Sequence, residues 1–321
     1  MREATVIIPN LNGRTYLEGC LSSLQEQSTD DFEILLIDNG STDDSVAYVE
    51  THYPQVRIHK FKKNTGFCHA VNEGIRRSSS PYVILLNNDV VCDRDFVRQL
   101  LEGIRRRPGC FSCGALMMQL YAPEKIDDAG DYYCALGWAF ARGKGRSAEC
   151  FQKETRIFAA CAGAAIYRRS VLERIGLFDE KHFAYLEDID IGYRAKIAGY
   201  ENWLIPSSVV YHAGSGTSGS VYNEFKVAHT SRNSVYLIYK NMPWFQILLN
   251  APFLLSGFLI KTVFFARKGF FGQYVKGLAT GLGMCEKKNK VPFRLRNLGR
   301  YAGIQLELWV NMVRRLTSDM R

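Results

Sequence analysis

Over the first hundred residues, short runs of Val, Ile and Leu alternate with longer stretches whose apolar positions recur every three or four residues. Thr5–Pro9, Phe32–Ile37, Val56–Lys60 and Tyr82–Leu86 read as strands, while Thr15–Gln27, Asp43–His52, Phe67–Arg76 and Asp93–Arg106 read as helices. Strands that are apolar on both faces and separated by helices predict a parallel sheet with crossover connections. The expected class is therefore α/β, a Rossmann-like nucleotide-binding sheet with helices on both faces.

From about Gly114 the pattern loosens into Gly-rich and aromatic segments, which predicts a more irregular lobe completing a cleft. Helices return at Arg169–Ile175 and at Asp188–Ala198, the second ending before Gly199, a residue suited to the left-handed position after a helix. Residues 243–266, PWFQILLNAPFLLSGFLIKTVFFA, are long enough to cross a bilayer. Gln246, Asn250, Pro252 and Lys261 interrupt the run, so insertion at the interface is expected over a full crossing. A last helix carries Leu295, Leu298, Tyr301, Ile304, Leu308, Met312 and Leu316 at helical spacing, with Arg296, Arg300, Arg314 and Arg315 on or beside its polar side. That stripe is expected to lie on lipid; packing of both helices on the body is the alternative.

Composition sharpens this picture at one end only. The 321 residues carry a formal charge of +9, but residues 261–321 alone hold thirteen Lys and Arg against three acids, leaving the remainder close to neutral. A basic region beside apolar segments points to an anionic membrane surface rather than to nucleic acid. The N-terminus runs straight into a strand with no apolar leader, so the catalytic body is expected in the cytosol. Nine cysteines without framework spacing fit reduced thiols; Cys110 and Cys113 form a CxxC whose partners for a zinc site, Cys134 and Cys150, are not closely paired.

In an open α/β sheet, ligands bind beyond the carboxyl ends of the strands, and four polar loops stand there. They are Pro9-Asn10-Leu11-Asn12-Gly13, Asp38-Asn39-Gly40-Ser41-Thr42-Asp43, Asn64-Thr65-Gly66-Phe67 and Asn87-Asn88-Asp89. Asp38 can accept a bond from the imide N–H of a pyrimidine, while Ser41 to Asp44 also make a good helix cap. Asp89 and Asp93 offer oxygens to a Mg²⁺ or Mn²⁺ ion of the kind that neutralises a departing diphosphate. Glu187, Asp188 and Asp190 place three acids within four residues at a helix start, more than a cap needs, and Asp190 can pair with Arg194 one turn on. One of these acids is a candidate general base. His212 follows an apolar strand and precedes a loop, a position fit for a metal or a phosphate.

Seven segments occur in order: VIIPNLNG, LLIDNGSTDDS, NTGFCHAVNEG, VILLNNDVVCD, CAGAAIYRRSVLERIGLFDE, AYLEDIDIGYRAKIAGY and YHAGSG. Together they resemble the family 2 inverting glycosyltransferases of the GT-A fold, in particular the bacterial rhamnosyltransferase-like branch, over about residues 4–240. The resemblance implies metal-dependent transfer of a sugar from a nucleoside diphosphate donor, with inversion at the anomeric carbon. It implies that Pro9, Asn10 and Asn12 line the nucleoside pocket, that Asp38 meets the base, and that Asn64, Gly66 and Asn72 border the donor. Asn87 to Asp89 stand in for the family's DxD element, with Asn88 and Arg194 also on the donor side. Asp89 is then the expected metal ligand, joined by His212, and Asp188 the expected base with Glu187 beside it. Asn87 at the first position departs from the family and leaves one firm carboxylate there.

The expected division is a nucleotide-sugar half at 1–115, an acceptor-binding and catalytic half at 116–240, and a membrane-associating region at 241–321. Asp127, Asp128, Asp131, Trp138 and Phe183-Ala184-Tyr185 fall in the acceptor half without individual roles. The implied donor is dTDP-L-rhamnose, then UDP-linked GlcNAc, galactose or galactofuranose. The implied acceptor is a lipid-linked or polysaccharide chain, and the expected location is the cytoplasmic face of a bacterial inner membrane. Two rivals remain: a nucleotidyltransferase, for which NLNGRTYLEG is a poor triphosphate loop, and a saccharide-binding scaffold with a decayed site.

Overall fold

Alternate side chains of a strand leave opposite faces of a sheet, and this chain buries both. The computed structural model describes residues 2–214 and 222–318; Ser215 and Gly216 of the last motif lie outside the described residues. β1 (Ala4–Asn10), α1 (Arg14–Gln25), β2 (Phe32–Asp38), α2 (Ser45–His52), β3 (Arg57–Lys60), α3 (Phe67–Arg77) and β4 (Tyr82–Leu86) follow the predicted alternation. The helix expected from Asp93 is shorter, because a brief strand β5 (Val90–Cys92) comes first and α4 spans Phe96–Arg105. Asp93 is exposed in the turn between them, and its carboxylate accepts from the Asp95 N–H at 3.1 Å.

The middle third is more ordered than its composition suggests. β6 (Cys110–Gln119) is buried along all but its last residue, and β7 (Ala122–Asp128), β8 (Asp131–Tyr133), β9 (Ala139–Ala141), β10 (Thr155–Ile157) and β11 (Ala164–Arg168) follow. α5 (Arg169–Ile175), α6 (Glu187–Ala198) and β12 (Glu201–His212) complete the sheet region, before α7 (Glu224–Asn241), α8 (Trp244–Arg267), α9 (Phe271–Gly283) and α10 (Leu298–Ser318).

The main sheet runs β10-β12-β6-β11-β4-β1-β2-β3. It is parallel from β3 to β4, as expected, but mixed beyond, since β11 is antiparallel to both β4 and β6. β11 enters that gap from the excursion through β7 and β10, which has no crossover helix, and so runs the other way. Ala115 lies within β6, so residues on either side of position 115 share one strand.

Val6, Ile8, Ile84 and Leu86 pack with Leu17 and Leu21 of α1 and Leu100 and Ile104 of α4. Ile7, Leu35, Val83 and Leu85 pack on the other face with Val71 of α3, Leu172 of α5 and Ile191 of α6. A third cluster joins Ile189, Tyr193 and Ile197 of α6 to Leu237 of α7, Leu254 of α8 and Tyr301, Ile304 and Leu308 of α10. The stripe of α10 expected to lie on lipid thus has its middle in this core; Leu295, Leu298 and Leu316 at its ends are exposed, as are Leu306, Val310 and Val313. Burying Tyr301, Ile304 and Leu308 against α6 removes more apolar surface from water than either helix achieves alone.

α8 is 24 residues long, with a mean hydropathy of 1.8 over its most apolar window, of which 17% is buried. By length and composition it is able to cross a membrane. Its polar interruptions face the body: Tyr193 donates to Gln246 Oε1 at 2.7 Å, and Asn250 and Gln305 exchange two bonds of 2.8 Å. Trp138 Nε1 donates to the Gly257 carbonyl at 3.2 Å. Among the described residues, every large exposed hydrophobic side chain except Tyr121, Tyr222 and Phe225 lies between Trp244 and Leu316.

Candidate active site

The register of the first strands builds one wall of the site. Asn10 is paired with Asp38 at the carboxyl edge of β1 and β2, and Asn10 Nδ2 donates to Asp38 Oδ1 at 3.0 Å. Asp38 Oδ2 accepts from the Ser41 N–H, and Asn88 Nδ2 donates to Asn10 Oδ1 at 2.8 Å. A Cβ on Gly13 would fall 2.0 Å from Asn88 Nδ2, so only glycine lets these two loops meet. Asn12 is left-handed (φ 51°), and its Oδ1 takes the Thr42 N–H at 2.8 Å. Pro9 precedes Asn10 in the same strand. Asn39, which the sequence did not single out, fixes the third loop by donating to Asn64 Oδ1 at 3.0 Å and accepting from the Thr65 N–H. Gly66 (φ 90°) lies where a Cβ would strike the Phe183 ring at 2.6 Å, so the Asn64 loop and the segment before α6 are in contact.

Antiparallel pairing of β12 with β5 sets His212 opposite Val90 and so brings it beside Asp89. His212 Nε2 stands 3.3 Å from Asp89 Oδ1, and its Nδ1 is 2.7 Å from Asp127 Oδ2 at the end of β7. Lys144 Nζ holds the other Asp127 oxygen at 2.8 Å. Burial disfavours charge on the imidazole, but its bonds to Asp127 and Asp89 outweigh that and push His212 up to about 9. Burial likewise opposes ionisation of Asp127, which His212 and Lys144 nonetheless hold down at about 2. Asn87 closes the same corner, its N–H bonded to the Gly163 carbonyl at 2.9 Å.

A second group of acids behaves in the opposite way. The carboxyls of Asp131 and Asp188 act on one another's ionisation, and the Ile189 N–H donates to Asp188 Oδ1 at 2.7 Å. Burial raises Asp188 and Asp131, and it pushes Asp128 up to about 7 and Glu187 up to about 8, the charge of Asp188 adding to both. Among the described residues, Glu187 Oε2 and Asp131 Oδ2 are buried and find no hydrogen-bond partner. Asp128, Asp131 and Cys161 bring ligand atoms within 4.8 Å of one another. Asp128 feels the charges of both Asp127 and Asp188, so the two groups are electrostatic neighbours.

The turn that presents Glu187 and Asp188 is strained: Phe183, Tyr185 and Leu186 all have positive φ, at 62°, 71° and 66°. Asn233 of α7, wholly buried, restrains it by donating to the carbonyls of His182, Ala184 and Tyr185 at 2.7–2.9 Å. Beneath the turn, Asp190 is also wholly buried and is bonded by Arg194 Nε (2.9 Å), Lys240 Nζ (2.9 Å) and Asn241 Nδ2 (2.8 Å). Burial opposes its charge, yet Arg194 and Lys240 together hold this carboxyl far below the ordinary range. Lys240 also bonds Asp179 at 2.7 Å.

Two residues expected at the donor are committed elsewhere. Arg194 spends its guanidinium on Asp190 and on the carbonyls of Ile175, Gly176 and Leu177, at 2.8–2.9 Å. Asn72 exchanges bonds of 2.8 and 3.0 Å with the Phe178 backbone and donates to Glu180. Both pin the segment leading to the Glu187–Asp188 turn, and sequence spacing alone did not separate that duty from ligand contact.

Neighbouring donors around a six-coordinate Mg²⁺ or Mn²⁺ ion lie about 3 Å apart, given metal–oxygen distances of about 2.0–2.2 Å. The Asp89–His212 separation fits that spacing, and the Nδ1 bond to Asp127 is the outer-shell contact that orients a metal-bound imidazole; an ion there would replace the Nε2 proton that His212 carries at neutral pH. Asp128, Asp131 and Cys161 fit less well, because two of them favour the protonated carboxyl and the third offers a soft sulfur.

The family model described as Glycosyl transferase family 2 matches residues 5–176. Among curated relatives, the N-acetylglucosaminyl-diphospho-decaprenol L-rhamnosyltransferase of Mycobacterium tuberculosis is 27% identical over 253 residues, covering 72% of this chain and 82% of the relative. Among solved structures, Staphylococcus aureus TarS in complex with UDP-GlcNAc aligns with a TM-score of 0.61 at 17% identity, covering 90% of this chain and 82% of that one. The mannosyltransferase PcManGT from Pyrobaculum calidifontis, in complex with GDP-Man and Mn²⁺, aligns with a TM-score of 0.56 at 17% identity, covering 96% and 81%. These likenesses show a GT-A fold.

Removing the charge at Asp190 leaves Lys240 and Arg194 buried against a neutral group. Asp190→Asn is expected to lose about 3–5 kcal/mol at pH 7 by urea denaturation. Because folding depresses this carboxyl's pKa, its contribution is present above the unfolded value of about 3.9 and fades as pH falls toward the folded one. The gap between parent and variant should therefore narrow only below about pH 4; a gap under about 1 kcal/mol at neutral pH contradicts the role given to Asp190.

Proposed function

This chain belongs to glycosyl transferase family 2, and we propose that it moves L-rhamnose from dTDP-rhamnose onto a lipid-linked saccharide, inverting the anomeric centre. What supports this reading is the joining of two unlike groups through neighbouring residues: Asp127, bonded to His212 beside Asp89, is followed by Asp128, which feels the charge of Asp188. The name of the mycobacterial relative supports the sugar and the lipid-linked acceptor. UDP-GlcNAc in the aligned TarS complex keeps UDP-linked GlcNAc, galactose and galactofuranose as the next donors.

Pro9, Asn10, Asn12 and Asp38 frame the nucleoside, and Asn64, Gly66, Asn87 and Asn88 border its diphosphate. Residues 1–115 hold the donor and 116–240 the acceptor, with β6 common to both. Asp188 takes the proton of the acceptor hydroxyl as that oxygen attacks the anomeric carbon, opposite the departing diphosphate. Asp131, whose burial favours the protonated carboxyl, leaves Asp188 as the group that accepts the proton, and buried Glu187 beside it also favours the neutral form. A divalent ion, Mg²⁺ or Mn²⁺, held by Asp89 and His212 would neutralise the charge growing on the leaving diphosphate. The exposed apolar faces of α8, α9 and α10, beside the basic C-terminal region, suit the anionic cytoplasmic leaflet of a bacterial inner membrane.

A donor panel with and without Mn²⁺ tests the chemistry: dTDP should be released from dTDP-rhamnose only with the ion. Asp188→Asn should lower turnover by about 10²–10⁴-fold while donor affinity stays as in the parent. Near-normal turnover by that variant removes Asp188 from its role. Flotation with phosphatidylglycerol vesicles tests the membrane claim. The parent should float at low salt, and Leu255→Glu with Leu259→Glu should leave most protein at the bottom; equal flotation of the two contradicts an apolar docking face.

A further inference from the structure

The backbone carbonyls of residues 181–185 lead into the start of α6, and each accepts a hydrogen bond from another element of the fold. Cys68, in the first turn of α3, gives its N–H to the Phe183 carbonyl at 3.2 Å. Two consecutive residues of α7 meet the others. Arg232 Nη2 donates to the carbonyls of Lys181 (3.2 Å) and His182 (2.7 Å), and Asn233 Nδ2 donates to those of His182 (2.9 Å), Ala184 (2.8 Å) and Tyr185 (2.7 Å). Arg232 Nε also donates to Asn233 Oδ1 at 3.0 Å. With its oxygen engaged there, the Asn233 carboxamide turns both N–H groups to the carbonyls, which share them.

We infer that Arg232 and Asn233 are positioning residues for proton transfer at Asp188, holding the segment before α6 in the strained form that brings this carboxyl to the acceptor hydroxyl. The inference deepens the transfer reading above and rests on it. Left-handed backbone at Phe183, Tyr185 and Leu186 is costly for side chains of this bulk, and such a run relaxes unless bonds elsewhere outweigh it. Leu186, the last of them, is the N-cap of α6 and caps it with no side-chain bond, and Asp188 follows two residues later. The direction of the first helical turn is therefore set by the backbone before it, and that backbone is set by Arg232, Asn233 and the Cys68 N–H.

A clamp holds strain only if it is itself held. A Cβ on Gly281 of α9 would fall 2.4 Å from the Arg232 carbonyl, and one on Gly277 would fall 1.9 Å from Ser231 Oγ, so α9 lies directly against the part of α7 that carries the clamp. Two turns further along α7, Lys240 is bonded to Asp190 of α6. On the opposite side, α3 starts from Gly66, in the loop that borders the donor in the proposed reaction. The same bonds thus fix the Asp188 turn relative to both α7 and the donor loop.

The test uses the full chain in detergent micelles, with dTDP-rhamnose, Mn²⁺ and farnesyl-diphosphate-linked GlcNAc as the acceptor probe. Asn233→Ala, Asn233→Asp and Arg232→Gln are each made in the parent and in Asp188→Asn. In the parent, Asn233→Ala should lower kcat by about tenfold to a hundredfold while KM for the donor stays within about twofold. Asn233→Asp keeps the shape without the N–H donors and should lose at least as much. Arg232 is half-buried, so Arg232→Gln carries the test where the Asn233 variants do not fold, with a smaller loss of kcat. In Asp188→Asn the same substitutions should change the residual turnover by less than about twofold, because the group they position is gone. Hydrogen exchange followed by mass spectrometry needs no activity, and should show amides 184–190 exchanging at least about tenfold faster in the variants, with β1 and β4 as in the parent.

Unchanged exchange at 184–190 overturns the inference. So does an undiminished kcat in the parent background, or a loss of the same size with and without the Asp188 carboxylate, which is what a general structural role produces. A parent that transfers sugar from neither dTDP nor UDP donors sinks the transfer reading before any variant is compared, and exchange then reports on the restraint of the turn alone.

Discussion

A carboxylate with no exposed surface must find its solvation inside the protein, and Asp190 finds it in Lys240, Arg194 and Asn241. Those partners come from different parts of the fold. Arg194 reaches on to the carbonyls of residues 175–177, and Lys240 reaches on to Asp179, so one buried charge ties α6 to α7 and to the segment between α5 and α6. That segment ends in the strained turn carrying Glu187 and Asp188. Strain of this kind persists only where its surroundings over-determine it, and here Asn233 completes the restraint. The helices after residue 222 are therefore part of how the site is aimed, in addition to whatever they do at a membrane.

The site divides its acids by environment. Asp127 is held ionised by His212 and Lys144, whereas Asp128, Asp131, Asp188 and Glu187 are pushed toward the protonated form by burial and by one another. Titratable groups driven apart in this manner mark different tasks at neutral pH. In the proposed reaction the polar end, Asp89 with His212, takes the cation and diphosphate, and the end with raised carboxyls takes the proton of a hydroxyl.

Much of the sheet was legible in the sequence, because its strands are short β-branched runs and its helices have a plain amphipathic period. The loops at the strand ends were legible as neighbours: Asn10, Asp38 and Asn88 do meet at one edge. What escaped was whatever depends on tertiary pairing. β6 reads as a loose Gly-containing segment until β11 and β12 are placed beside it. Arg194 and Asn72 look like ligand-binding residues by type and position, and only the structure reveals that four of the guanidinium's five N–H groups and both amide N–H groups bond within the protein. Asn233 and Lys240 carry no local signature, since their partners lie some 50 residues earlier. The α10 stripe has the right period for a lipid face and for a core face alike, and packing against α6 chose the core.

Crystals of the full chain grown with dTDP and Mn²⁺, measured at a wavelength where manganese scatters anomalously, put the central claim to its most direct test. The account predicts a single strong anomalous peak bonded to Asp89 and His212, with the nucleotide's phosphates on it and Asp188 facing it across the cleft. A peak seated among Asp128, Asp131 and Cys161, or one remote from Asp89, would contradict the account.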